Sequence, residues 1–144
     1  MAARDEKSRQ EHDTLLDMVA RRIKIPTWVL ATNPGEATNA GIDYPSPEGA
    51  ATAYPDIVAR EKFTGRLAAV GEVETESSVT EEEARDQWRL YAQLAPKFFL
   101  YVPKECEAEA RRLLRKHGLR PEGLFLFSFT ERNFFIVERA KGRL

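Results

Sequence analysis

Residues 54–75, YPDIVAREKFTGRLAAVGEVET, decide the fold. Two apolar runs of β type, Tyr54 to Ala59 and Leu67 to Val73, flank a polar connection centred on Thr64-Gly65. Glycine supplies the positive φ that a tight turn needs, so the stretch predicts an antiparallel hairpin. Side chains alternate along a strand, which places Glu72 and Glu74 on one face. A hairpin partner can bring Asp56 beside them. Three carboxylates meeting at one sheet edge repel unless something positive stands between them, and a divalent metal with oxygen ligands is the usual answer.

On the N-terminal side, residues 3 to 24 predict a helix, because Leu15, Leu16, Val19 and Ile23 recur at three- and four-residue steps. Pro26 is expected to end it. Trp28 to Thr32 reads as a first strand. Asn33 to Ala53 then reads as a long loop, with turn signals at Asn33-Pro34-Gly35 and Tyr44-Pro45-Ser46-Pro47. Loops of that length inside a domain are often functional. Tyr44 is expected to anchor this one.

On the C-terminal side, Thr80 followed by Glu81, Glu82 and Glu83 is a helix start, with Thr80 as cap and Glu83 completing a capping box. The acidic run suits the positive end of the helix dipole and is read as structural. Ala84, Trp88 and Tyr91 form the inward stripe of this helix, which should end near Pro96. Lys97 to Val102 predicts a buried strand and Glu105 to His117 a second helix closed by Gly118. Leu124 to Phe129 and Phe134 to Glu138 predict a final hairpin whose phenylalanines serve as core or as a dimer surface, with core the better fit to their spacing.

Pro55-Asp56, a gap of fifteen residues and Glu72-Val73-Glu74 resemble the motif of the PD-(D/E)xK nuclease superfamily. The element order around it resembles the αβββαβ core of the restriction-endonuclease-like fold over residues 3 to 103. The expectation is therefore a single α/β domain spanning 1–144, with a mixed central sheet flanked by helices and an added C-terminal helix and hairpin. The resemblance implies that Asp56 and Glu72 bind Mg²⁺ or Mn²⁺ and that Glu11, on the first helix, reaches the same metal. Glu74 stands where the family carries lysine, so it becomes a general base or a further ligand. Some restriction enzymes of the superfamily carry Glu there too. Where that lysine is lost, a group on the next helix sometimes replaces it, which singles out Arg85, Gln87 and Arg89. Lys62 is a further candidate charge partner. The implied activity is metal-dependent hydrolysis of nucleic acid, DNA foremost, and a homodimer is compatible with cutting both strands.

The totals agree with a soluble globular chain. Of 144 residues 42% are apolar and 31% charged, and no apolar run approaches a membrane span. The charged N-terminus is unlike a signal peptide, and cytoplasmic location is the expectation. One cysteine, Cys106, excludes a disulfide framework and a Cys-rich zinc site. His12 and His117 are read as separate, His12 as a surface or boundary residue. Net charge is −1, with twelve acids against five bases over 36–91 and ten bases against six acids over 104–144. That asymmetry could set a basic surface beside an acidic metal centre. Two alternatives stay open: a nuclease-like module that binds nucleic acid or protein without cutting, and three unrelated surface carboxylates.

Overall fold

In the computed structural model, which describes residues 5–144, helix α1 (Glu6–Ala20) starts at Asp5, whose carboxylate accepts the Ser8 amide at 2.8 Å. Such caps satisfy amides that the first turn leaves without partners. The helix ends at Ala20, before Pro26 is reached, and residues 21–27 lead out of it as turn and coil. Strand β1 (Trp28–Thr32) follows as expected.

The stretch read as a loop is different. It contains β2 (Ile42–Ser46) and β3 (Gly49–Ala53), a separate two-stranded sheet. Its turn falls at Pro47-Glu48, and Gly49 has φ +113°, a backbone that glycine adopts freely. Pro45 stands within β2; an edge position with no ladder to continue tolerates it. Tyr44 packs as an anchor against the main core.

Strand β4 (Ile57–Glu61) pairs antiparallel with β5 (Leu67–Val73), forming the predicted hairpin. Beyond β5, a 3₁₀ turn (Glu76–Ser78) leads into α2 (Glu81–Glu83), a π-helical stretch (Ala84–Trp88) and α3 (Arg89–Leu94), one after another. Strand β6 (Phe98–Pro103), helix α4 (Glu107–Lys116), β7 (Gly123–Phe129) and β8 (Phe135–Arg139) complete the chain.

The fold is mixed α/β. Its six-stranded sheet has the order β1-β4-β5-β6-β7-β8, antiparallel at β1–β4, β4–β5 and β7–β8, parallel at β5–β6 and β6–β7. Parallel neighbours need crossovers, and α2–α3 and α4 supply them on one face. There Trp88, Tyr91, Leu113 and Leu114 pack on Val70, Leu100, Leu124 and Leu126. Helix α1 covers the other face, with Leu15, Leu16 and Val19 against Ile57, Val73, Tyr101, Phe127 and Phe135. Each such side chain contributes about 1.5–3 kcal/mol by leaving water.

Because α1 is short, the outer hairpin is only partly covered. Phe127 and Phe135 are buried, whereas Phe129 and Phe134 are exposed, so the expected all-core phenylalanine cluster holds for the first pair only. Cys106 is buried and carries no disulfide. Among the described residues, no helix is long and apolar enough to cross a membrane.

A buried carboxylate cluster as candidate metal centre

The hairpin locks its own carboxylates in place. Asp56 stands one residue before β4, and its backbone amide donates to Glu72 Oε1 at 2.9 Å. In return, Asp56 Oδ2 accepts the Val73 amide at 2.9 Å. These two side-chain bonds extend the β4–β5 ladder past its last backbone pair, Ile57–Gly71. Asn33 holds the preceding peptide: its Nδ2 donates to Pro55 O at 2.7 Å and to Ala40 O at 2.8 Å, while its Oδ1 accepts the Ala40 amide at 2.9 Å.

Glu74 lies just beyond β5, its amide bonded to Tyr101 O on β6 at 2.9 Å. The two-residue period points it the same way as Glu72, toward the helical layer. Both of its oxygens are engaged there. Trp88 Nε1 donates to Oε1 at 3.1 Å and Ser78 Oγ to Oε2 at 2.5 Å. Glu83 completes the group: one oxygen from each of Glu72, Glu74 and Glu83 lies within 4.8 Å of the others, and all three residues are buried.

The π-helical stretch explains how one helix supplies two members. Glu83 and Trp88 are five residues apart, which in a regular α-helix turns them about 140° from each other. Bonding of i→i+5 type, as in Arg89 N–H to Ala84 O, widens the turn and brings them toward one side.

From the opposite layer, α1 contributes His12, which is 1% exposed. Its Nε2 stands 3.1 Å from Asp56 Oδ2, and its Nδ1 stands 3.1 Å from Asp13 Oδ1. Asp13 Oδ1 also accepts the Gly35 amide at 2.7 Å, tying the helix to the loop after β1.

Burial governs the electrostatics. Loss of water, and then the negative charges of Asp56 and Glu74, push Glu72 well above the ordinary carboxylate range. Glu74 is pushed up to about 8, by burial first and then by Glu83 and Asp56. The Tyr91 phenol feels the same carboxylates from the helical side, and burial with their charge holds it protonated. Four buried carboxylates therefore face one imidazole, a balance that protons or a cation must correct.

The structure thus brings Glu72 and Glu74 within reach of Glu83, whereas Asp56, expected as a metal ligand, is not among the three carboxylates that meet and joins Glu72 through its backbone amide; His12, Trp88, Ser78 and Asn33 adjoin them. It does not bring in Glu11. That residue faces solvent and lines an open groove with Lys7, Gln10, Glu76 and Phe129, while its neighbour His12 turns inward. Nor is His12 a surface residue. Thr80 caps α2 as expected, its Oγ1 accepting the Glu83 amide at 3.3 Å, yet the Glu83 carboxylate belongs to the cluster and is more than a capping partner. Arg85 is exposed and paired with Asp86 at 2.9 Å, and Arg89 is exposed and bonded to His117. Lys62 lies at the far end of β4 from Asp56. Gln87 is half-buried one turn after Glu83.

Four basic residues of the C-terminal half are engaged in ion pairs. Arg111, Arg112, Lys104 and Lys116 are paired with Glu107, Glu109, Glu138 and Glu81 respectively. No protein-family model, curated protein or solved structure matches the chain.

Proposed function

We propose that the cluster is the divalent-cation site of a phosphodiester hydrolase acting on nucleic acid, DNA foremost, within a restriction-endonuclease-like core. The observation that carries this is the buried convergence of Glu72, Glu74 and Glu83 within cation-bridging reach, beside Asp56. The donor set is all carboxylate oxygen, which suits Mg²⁺ or Mn²⁺. The order α1–β1–β4–β5–helix–β6, with Pro55-Asp56 entering one strand and Glu72-Val73-Glu74 leaving the next, supports the same reading.

Glu72 and Glu83 would hold the cation, with Glu74 completing the set. A bound cation supplies charge to a phosphoryl oxygen and lowers the pKa of a water. Asp56, fixed by the Val73 amide and His12, orients the Glu72 carboxylate through its own amide. As a ligand, Glu74 would give up the proton that burial and its neighbours let it hold in the cation-free cluster. Trp88 and Ser78 keep it from turning away.

The reading of three unrelated surface carboxylates requires splayed, wet side chains, and these are buried and bonded. The non-catalytic module keeps one observation in its favour. No lysine or arginine among the predicted charge partners enters the cluster, and both Glu74 oxygens are already engaged. The test is cleavage of plasmid, single-stranded and branched DNA with Mg²⁺ or Mn²⁺, using wild type and Asp56→Ala. Metal-dependent cutting lost in Asp56→Ala supports hydrolysis. Binding without cutting by either protein assigns the module.

A further inference from the structure

The tip of the β4–β5 hairpin, Arg60 to Arg66, lies at the opposite end of the two strands from the carboxylates. It is well ordered by its own bonds. Glu61 N–H donates to Arg66 O at 2.8 Å and Gly65 N–H to Glu61 O at 2.9 Å. Gly65 has φ +72°, and Thr64 Oγ1 accepts the Arg66 amide at 3.2 Å. This frame presents Phe63 to solvent, 87% exposed, more than any other large apolar side chain described. Lys62 Nζ stands 5.8 Å from the centre of its ring.

Arg60, Lys62 and Arg66 share this short tip with Phe63, with Glu61 as its one acid. Lys62 N–H donates to Thr27 O at 2.7 Å, which ties the tip to the segment between α1 and β1. On α4, Arg111, Arg112 and Lys116 are in ion pairs and Arg115 is exposed. Among the described residues, Arg60, Lys62 and Arg66 have no carboxylate partner. Arg60 bonds only the Gly65 carbonyl, at 3.1 Å.

We propose that this tip is a second nucleic-acid contact, in which Arg60, Lys62 and Arg66 hold phosphates and Phe63 stacks on an unpaired base. The proposal rests on the hydrolase reading and names its substrate class: nucleic acid with a single-stranded segment. Stacking on an aromatic face tolerates every base but needs it unpaired, and cations beside the ring follow the backbone. A lipid surface is held by a broad apolar face, whereas here a single exposed ring shares a short tip with three cations. Five or six residues of β4, at about 3.4 Å each, put the tip roughly 20 Å from Asp56. A strand reaching both would span about six nucleotides at duplex spacing.

The test is fluorescence anisotropy with labelled single-stranded and duplex DNA 20-mers, with Ca²⁺ in place of Mg²⁺ to prevent cutting. The proteins are wild type, Phe63→Ala, the triple variant Arg60→Ala/Lys62→Ala/Arg66→Ala, and an α4 control, Arg112→Ala/Arg115→Ala. Thermal unfolding checks that each folds; all of the substituted side chains are exposed. Wild type should prefer the single strand. Phe63→Ala should weaken that binding about 5- to 150-fold. The triple variant should flatten the slope of log K against log salt by about 2, at roughly 0.7 per lost contact on a single strand. The control should match wild type. Unchanged affinity and slope in both tip variants would overturn the proposal, as would wild-type binding to anionic vesicles but to no nucleic acid. The hydrolase reading is judged apart, by the Asp56→Ala cleavage assay: binding through the tip without cutting leaves this proposal standing and sinks that one.

Discussion

Raising the pH on the cation-free protein should unfold it more readily, and the buried cluster sets the size of the effect. Glu74 titrates at about 8 in the fold against 4.5 for an ordinary glutamate. Below pH 4.5 both states hold the proton, so the shift has no effect there. Between 4.5 and 8 the unfolded chain ionises while folded Glu74 stays protonated, and stability falls by about 1.4 kcal/mol per pH unit. Above 8 both states are ionised and the loss levels off. The whole shift is worth about 5 kcal/mol, a third or more of a typical domain's stability. Glu72 acts in the same direction, since burial and its neighbours raise it too. A cation that displaces these protons should return the stability, with a gain that grows with pH. Urea unfolding at pH 5, 6, 7 and 8, with EDTA or with Mn²⁺, reads all of this. Glu74→Gln should flatten the EDTA profile and be more stable than wild type at pH 8. An EDTA profile that is level or rises from pH 5 to 8 would refute the reasoning.

Three further outcomes follow from the hydrogen bonds of the site. Trp88→Phe removes the indole donor to Glu74 Oε1 and should cost about 1–3 kcal/mol, more at pH 8 than at pH 5 because the bond favours the ionised carboxylate; urea unfolding at the two pH values measures the difference. Asn33→Ala strips three bonds from the Ala40 and Pro55 backbone and should cost about 2–4 kcal/mol by denaturant midpoint. A double-mutant cycle of His12→Ala and Asp56→Asn should give a coupling of about 1–3 kcal/mol, whereas Glu11→Ala paired with Asp56→Asn should give none.

The hairpin was legible because its chemistry is local. Leu67–Val73 is an apolar run interrupted only by Gly71 and Glu72, and it forms β5 over that same span. Asp56 and Glu72 follow from it by register alone. The β2–β3 sheet was hidden because Ile42 to Ala53 mixes proline, glycine, alanine and threonine with no period to detect. His12 did carry a signal: it precedes Leu15, Leu16 and Val19 by three, four and seven residues, so helix geometry aligns it with the buried stripe. Its polarity made the sequence point to Glu11 instead. Glu83 left no such trace. Its entry into the cluster depends on a π-helical turn between Ala84 and Trp88, and nothing in ARDQW marks the wider turn. The exposure of Phe129 and Phe134 was equally hidden, since it depends on how far α1 reaches across the sheet.

The most direct test of the central claim is a Mn²⁺ titration of the folded protein followed by electron paramagnetic resonance, on wild type, Glu72→Gln and Glu83→Gln. The account expects saturable Mn²⁺ binding in wild type that weakens at least tenfold in each variant, with protons released on binding. Absence of saturable binding, or binding that both variants retain unchanged, would contradict it.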